Sequence, residues 1–256
     1  MQNKEELLKS KRVWQVIKAI IFDLDGTLVQ TEILKAKSYA RAATDLSRGK
    51  IKEDEVVEAF KEVVGLSRKE VAQYLTRRFN LRDAAQAKMD ELGIMTPWQA
   101  FVQVRLQIYE SMLKDPLTLK QYRCPYNLDL LKWARQNDFK TGLATMSHCP
   151  QAIHVLQILE IKEDFDFIAT RDDVENGKLD PQIYLLVAEE LKVLPTETLV
   201  IEDSPAGVKA ALDAGMGCIA VTTDFTRKNI HASNLISEQW IVDNPVELKT
   251  TTQIFI

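Results

Sequence analysis

The chain has 256 residues, of which 46% are hydrophobic and 27% charged, with a formal net charge of −4. This length suits one large domain or two smaller ones, and the composition is that of a globular protein. The charge offers no basic surface for nucleic acid, and no apolar run is long enough to cross a membrane. Residues 1–17 lack a signal peptide's apolar core, and the three cysteines are widely spaced. We therefore expect a cytoplasmic protein that binds neither nucleic acid nor a membrane.

The first predicted strand is a short apolar run near residues 18–22. It ends in two acids, Asp23 and Asp25, and Gly26 follows directly. In open α/β sheets, side chains just past the carboxyl end of such a strand face the ligand crevice. Because side chains alternate along a strand, both carboxylates begin on one face, where their repulsion requires a cation or a shared proton. The pair therefore predicts a metal site.

Residues 31–122 are helical in period and have almost no strand signals. The predicted helices cover residues 35–44, 53–63, 68–79, 84–92 and 98–113. After Pro125 strands and helices alternate. The predicted strands are 140–145, 165–169, 198–202, 218–221 and 240–242, and the helices between them are 151–159, 181–191 and 206–214. This alternation predicts an α/β protein with a Rossmann-like parallel sheet core.

The helical block interrupts the core between its first strand and the rest. We predict a core domain of residues 1–31 and 123–256, and an inserted all-helical cap domain of residues 32–122. The two crossings, near residues 29–32 and 123–127, would act as hinges. A cap of this kind could close over the strand ends and exclude water.

Three later segments also carry polar groups at predicted strand ends. Residues 140–147 end in Thr145 and Ser147, and the loop Asn-Gly-Lys-Leu-Asp-Pro at 176–181 contains Lys178. Residues 199–211 form an apolar strand that ends in Glu202 and Asp203, followed at once by a helix start. Carboxylate oxygens are the ligands that Mg²⁺ prefers, and no His or Cys set for zinc is present at these segments.

Together these segments, Phe-Asp-Leu-Asp-Gly-Thr-Leu-Val at 22–29 above all, resemble the four motifs of the haloacid dehalogenase superfamily of phosphotransferases. The resemblance implies that Asp23 is the nucleophile and Asp25 the acid/base, which also gives its backbone carbonyl to Mg²⁺. Thr145, with Ser147 as the alternative, would hydrogen-bond the phosphoryl group, and Lys178 would stabilise its charge. Asp203, and Glu202 directly or through water, would complete the metal site with Asp23. Leu179, Gln182 and Gln30 depart from the commonest family pattern.

The helical block resembles, more loosely, the caps of phosphoglycolate phosphatases, sugar phosphatases and β-phosphoglucomutases. Residues 65–70 are similar to a cap segment in which an arginine grips a substrate phosphate, which implies a substrate-binding role for Arg68. Lys35 stands where the mutases have a hinge histidine. We therefore expect a Mg²⁺-dependent phosphatase that hydrolyses a small phosphorylated metabolite, as a monomer or weak dimer. A β-phosphoglucomutase-like mutase and a non-catalytic binding protein are the alternatives.

Overall fold

The computed structural model describes residues 16–64 and 66–256. Most of the segment 1–17, interpreted above as lacking a signal peptide, lies outside the described residues, as does Gly65. The chain divides into two compact units. The core unit consists of residues up to Leu28, 124–222 and 227–256, and the helical unit consists of Val29–Arg123 and Thr223–Thr226. Residues 223–226 join the helical unit although nothing in the local sequence indicated it.

The helical unit has a core of its own. Its helices are α1 (Thr31–Leu46), α2 (Glu53–Lys61), α3 (Arg68–Arg78), α4 (Arg82–Gln86), α5 (Met89–Leu92), α6 (Pro97–Lys114) and α7 (Pro116–Gln121). The apolar faces of these helices pack against one another, and Tyr39, Phe60, Leu75 and Phe101 are buried in the resulting cluster. Burial of such a face, rather than intrinsic helix propensity, provides most of the stability of short helices.

The single helix predicted over residues 84–92 is wrong. The structure has two short helices there, α4 and α5. Helix α5 ends at Leu92, and its C-cap is Gly93, whose φ of +65° is the left-handed conformation that glycine favours. Ala85 is the buried residue of α4, and α5 buries none. A continuous helix over this stretch would therefore have had little apolar surface to pack against the rest of the unit.

Among the described residues, the core unit is built on a six-stranded parallel sheet. Its strands are β1 (Ala19–Phe22), β2 (Lys140–Ala144), β3 (Phe167–Ala169), β4 (Thr198–Glu202), β5 (Gly217–Val221) and β6 (Ile241–Val242). They lie in the order β3-β2-β1-β4-β5-β6, and all neighbours are parallel. Strands β1, β4 and β5 are buried along their whole length, as expected where helices cover both faces. The predicted α/β class is confirmed.

Helices of the core unit follow the strands. They are α8 (Pro125–Gln136), α9 (Cys149–Ile158), α10 (Gln182–Glu190), α11 (Pro205–Asp213), α12 (Arg227–Ser233) and α13 (Leu248–Phe255). Tyr184 and Val187 of α10 pack with Ile21 of β1 and Val200 of β4 in one apolar cluster. None of the described helices combines the length and apolar character needed to cross a membrane. No disulfide joins Cys124, Cys149 or Cys218, all of which are described residues.

Candidate active site

The carboxyl ends of three adjacent strands bring the predicted site residues to one edge of the sheet. Phe22, the last residue of β1, lies level with Leu143 of β2 and Ile201 of β4. Because the strands are parallel, the residues that follow them leave the sheet at the same edge, where open α/β sheets bind ligands. The predicted residues that follow these strands are Asp23, Thr145 and Asp203.

Asp23 is only 4% exposed, and its carboxylate accepts a hydrogen bond from the ammonium of Lys178. Lys178 reaches this position from the loop before α10, and its side chain is also buried. Burial raises the pKa of Asp23 to about 7; Lys178 opposes the rise, whereas Glu202 and Asp25 add to it. The ionised form of Asp23 is therefore disfavoured, and binding a proton or a cation would stabilise this carboxylate.

Lys178 links Asp23 to Glu202, whose Oε1 lies 2.6 Å from the Lys178 Nζ. The hydroxyl of Tyr184 donates to the same oxygen at 3.0 Å, and the Tyr184 ring lies 5.3 Å from the ammonium. Burial disfavours the charged lysine, but the carboxylates of Asp23 and Glu202 outweigh it and hold the pKa of Lys178 above its ordinary value. Lys178 is therefore a fixed positive charge.

The second oxygen of Glu202 is held by backbone and hydroxyl donors. Oε2 accepts from the backbone N–H groups of Asp203 and Ser204 at 2.8 Å each, and from the Ser204 hydroxyl at 3.0 Å. A Cβ at Gly207, in the first turn of α11, would collide with this carboxylate. Burial acts against ionisation, yet Lys178 and these donors hold the pKa of Glu202 below its ordinary value. Both oxygens of Glu202 thus have protein donors.

Asp203 faces the turn that follows β1. It is 4% exposed, and a Cβ added to Gly26 would overlap its carboxylate. Gly26 also has a φ of +90°, a conformation that side chains rarely adopt. Two independent requirements therefore select glycine here: the turn itself and the approach of Asp203 to the backbone beside Asp23.

Asp25 is held by hydroxyl groups that follow β2. Its Oδ2 accepts from Ser147 Oγ at 2.6 Å and from Thr145 Oγ1 at 3.3 Å. The backbone N–H of Ser147 donates in turn to Thr145 Oγ1 at 3.0 Å. The structure therefore brings both hydroxyl candidates to the carboxylate of Asp25, and the shorter bond is that of Ser147.

The loop that carries Lys178 is tied down by polar side chains. Leu179 has a φ of +110°, which a proline at this position could not adopt, so the departure from the commonest family pattern is structural. Gln182 Oε1 accepts from the backbone N–H groups of Glu175 and Asn176 at 3.1 and 3.0 Å. Asp180 accepts from the backbone N–H of Gln182 at 2.9 Å. These contacts fix the path of the loop around Lys178.

The carboxylates at this edge have the composition of a divalent metal site. Asp23, Glu202 and Asp203 each offer one oxygen, and these oxygens lie within 4.8 Å of one another. Lys178 offsets one of the three negative charges, and two remain in a buried setting. Hard oxygen donors with this excess charge fit Mg²⁺. Since both oxygens of Glu202 have protein donors, direct contact between Glu202 and a metal ion would compete with these hydrogen bonds.

A family model described as haloacid dehalogenase-like hydrolase matches residues 17–215, which include all of these motifs. The chain belongs to this family. A phosphorylated carbohydrates phosphatase of Thermotoga maritima is 30% identical over 200 residues, covering 78% of this chain and 82% of that protein. A fructose-1-phosphate phosphatase of Escherichia coli is 27% identical over 206 residues, covering 79% and 95%. The prediction of a phosphomonoester hydrolase of this family is confirmed.

Among solved structures, a β-phosphoglucomutase from Clostridium difficile is similar to this hydrolase with a TM-score of 0.61 and 26% sequence identity. The similarity covers 94% of this chain and 96% of that one. It therefore includes the helical unit as well as the core unit, in agreement with the predicted resemblance to mutase and phosphatase caps.

The two residues predicted to bind substrate from the cap lie in the helical unit of this hydrolase. Arg68 is the exposed first residue of α3, beside the N-cap Ser67, whose side chain accepts from the backbone N–H of Glu70. Lys35 lies on α1 and pairs with Glu32 at 2.6 Å. These positions leave their substrate-binding role a prediction.

Sequence reasoning missed Tyr184. Its place in the apolar period of residues 181–191 indicated only that it faces the core, which it does. Its hydroxyl, however, is one of the donors that orient Glu202. No pattern in the sequence separates a tyrosine buried for its ring from one buried for its hydroxyl, so this contact could be found only in the structure.

Proposed function

We propose that this hydrolase is a Mg²⁺-dependent phosphatase of small phosphorylated metabolites that acts through an aspartyl-phosphate intermediate. One observation carries the proposal: a buried carboxylate, Asp23, is held by Lys178 beside a second acid, Asp203, with Asp25 close by on the same turn. A nucleophile, a fixed cation, a metal acid and a proton carrier are the groups that phosphoryl transfer to a carboxylate requires.

Each residue would have a defined task. Asp23 would attack phosphorus in line with the leaving oxygen, and Lys178 would offset the negative charge of the entering phosphoryl group. Asp25, oriented by Ser147 and Thr145, would protonate the leaving oxygen. In the second half-reaction Asp25 would take a proton from the water that cleaves the aspartyl-phosphate, so that one group is acid and then base.

The metal would be held by Asp23 and Asp203, by the backbone carbonyl of Asp25, and by Glu202 directly or through water. When bound, Mg²⁺ would polarise the phosphoryl oxygens and reduce their repulsion of the Asp23 carboxylate. The donor network around Glu202 supports a positioning role for it, because that network fixes both Lys178 and the backbone of Asp203.

The substrate class we favour is a phosphorylated sugar. The relatives named above support it, since their names refer to phosphorylated carbohydrates and fructose 1-phosphate. The alternative is a sugar phosphomutase, which the similarity to a β-phosphoglucomutase favours. Lys35 argues against it, because it replaces the histidine expected in a mutase hinge. The wide spacing of the three cysteines supports the proposed cytoplasmic location.

The mechanism is tested by replacing Asp23 with asparagine, which is nearly isosteric and cannot form the acyl phosphate. We expect loss of turnover on a panel of sugar phosphates with Mg²⁺, while the thermal midpoint stays close to that of the wild type. Mass spectrometry must first exclude deamidation back to aspartate. Substantial turnover by the intact variant would contradict the mechanism.

Hydrolase and mutase are separated by the acceptor of the phosphoryl group. A phosphatase releases phosphate that carries label from ¹⁸O-water, at a rate independent of added sugar bisphosphate. A mutase needs the bisphosphate as primer and interconverts sugar phosphates faster than it releases phosphate. The second pattern in the wild type would contradict the proposed hydrolysis and leave the role of Asp23 intact.

A further inference from the structure

Asp172 connects the loop that follows β3 to the loop that follows β2. Its Oδ1 lies 2.6 Å from His148 Nδ1, and its Oδ2 accepts a hydrogen bond from the backbone N–H of Cys149 at 2.8 Å. These two hydrogen bonds hold the pKa of Asp172 below its ordinary value. At neutral pH the carboxylate is therefore ionised and can only accept, so His148 Nδ1 carries the hydrogen of the shorter bond. Both oxygens of Asp172 thus bind residues that follow β2.

The hydrogen bond to Cys149 caps helix α9 from outside its own segment. Cys149 is the first residue of α9, and the N-cap residue His148 makes no side-chain cap hydrogen bond. The first N–H groups of a helix have no partner within it, and the N-cap side chain usually supplies one. Here the acceptor lies 23 residues further along the chain, and its negative charge also suits the positive end of the helix dipole. The start of α9 is therefore fixed by the neighbouring loop.

A further hydrogen bond between the two loops involves Ser147. The backbone N–H of Arg171 donates to the carbonyl oxygen of Ser147 at 3.1 Å. The peptide groups on both sides of His148 are thus held by the loop that follows β3. The hydroxyl of Ser147 donates in turn to Asp25 Oδ2 at 2.6 Å. A shift of this segment would therefore displace the hydroxyl that orients the Asp25 carboxylate.

We propose that Asp172 is a positioning residue for the acid/base step: it holds residues 147–149 so that the Ser147 hydroxyl orients the Asp25 carboxylate. This inference rests on the proposed function, in which Asp25 protonates the leaving oxygen. A general acid acts only within hydrogen-bond reach of the atom that it protonates, and a misplacement of about 1 Å can reduce the rate about 10²-fold. The effect of Asp172 passes through Ser147 and not through a contact with the substrate.

Two esters that differ in their need for an acid test the proposal. The alkoxide of a sugar must be protonated as it leaves, whereas p-nitrophenolate is a stable anion and leaves without a proton. The variants are Asp172→Ala, which removes the carboxylate, and Asp172→Asn, which keeps one oxygen acceptor. The matched control is Asp173→Ala, because Asp173 bonds within its own loop: its Oδ2 accepts from the backbone N–H and the hydroxyl of Thr170 at 2.7 and 2.8 Å.

The value of kcat/KM covers the steps up to the aspartyl-phosphate and therefore includes protonation of the leaving oxygen by Asp25. The sugar ester is the sugar phosphate that the wild type hydrolyses fastest with Mg²⁺. We expect Asp172→Ala to lower kcat/KM about tenfold for this ester and less than about twofold for p-nitrophenyl phosphate. Asp172→Asn should change this ratio less, and Asp173→Ala should affect both esters equally. Equal losses on both esters for Asp172→Ala would make Asp172 merely structural and overturn the proposal.

A double-mutant cycle with Ser147→Ala tests the route of the effect. Asp172→Ala should change the ester ratio of the wild type but not that of Ser147→Ala. The urea unfolding midpoint of the double variant should also fall by less than the sum of the two single losses, since both changes remove parts of one hydrogen-bond network. Additive effects on either quantity would contradict the proposal. The midpoints need no turnover, so a wild type that hydrolysed neither ester but showed non-additive midpoints would refute the proposed function alone.

Discussion

Replacing Lys178 with methionine tests the charge balance of the site directly. The wild type sets the Lys178 ammonium among the carboxylates of Asp23, Glu202 and Asp203, and the Lys178 and Glu202 side chains are 7% and 1% exposed. Methionine keeps most of the volume of the side chain and removes the cation that the buried acids Asp23 and Glu202 share. Removing one partner of a buried ion pair costs about 3–5 kcal/mol.

The assay is urea unfolding at pH 8 in the presence of EDTA. With a slope of about 2–3 kcal/mol per molar urea, a loss of this size lowers the unfolding midpoint by about 1–2.5 M. The matched control is Lys209→Met on α11. Lys209 pairs with Asp213 at 2.6 Å, but both side chains are more than 40% exposed, so its removal should cost at most about 1 kcal/mol.

The effect of Mg²⁺ on stability and the kcat of Lys178→Met provide two further measurements of the same charge balance. Mg²⁺ should restore more stability to Lys178→Met than it adds to the wild type, because the variant has one more uncompensated negative charge. The kcat of the variant should fall about 10²- to 10³-fold, the usual loss for one preorganised donor to a developing charge. If Lys178→Met and Lys209→Met lowered the midpoint equally, the buried network would contribute no more than a surface pair, and the reasoning would be refuted.

Two further predictions follow from single contacts. Gly26→Ala should displace Asp203 and raise the Mg²⁺ concentration for half-maximal activity about tenfold or more. The control is Gly49→Ala, where φ is +79° and the space around the added Cβ is open, so this variant should have similar backbone strain and a normal Mg²⁺ dependence. Equal Mg²⁺ responses of the two variants would contradict this. The hydrogen bond to Asp243 raises the pKa of His231. The interaction of His231 with Asp243 should therefore stabilise the fold fully below a pH of about 6.5, and this stabilisation should disappear as the pH rises through the raised pKa. It is measured as the difference in thermal midpoint between the wild type and His231→Gln. A pH-independent difference would contradict it.

The sequence was informative where a local pattern determines the structure. The strand over residues 198–202 was predicted with the bounds that the structure has, because an apolar run between turn signals leaves little choice. The placement of Asp23, Thr145 and Asp203 at the same edge of the sheet followed from the parallel alternation, whereas the order of the strands did not. The prediction missed helices α7, α8, α12 and α13. Helices α7, α12 and α13 are short and owe their stability to packing rather than to a long apolar period. Helix α8 begins at Pro125, within the segment that was interpreted as a hinge.

Features that depend on contacts distant in the chain could not be predicted. Nothing near residues 223–226 indicates that they join the helical unit, where Phe225 lies 6.1 Å from Phe60 between ring centres. The burial of Arg105 on α6 is equally invisible in the sequence, since an arginine in a helical period is usually solvated. The same holds for the five donors around Glu202, which come from three separate segments.

The central position of β1 in the sheet has a consequence for synthesis on the ribosome. Ala19 pairs with Lys140 on one side and Thr198 on the other, so the whole of residues 29–123 is made before either partner strand exists. The helical unit is nearly continuous in sequence and can fold during this interval, whereas β1 has no partner strand for its backbone hydrogen bonds until β2 is made. We expect nascent chains stalled between residues 123 and 140, before β2 is made, to expose this apolar strand and to depend on chaperones to avoid aggregation.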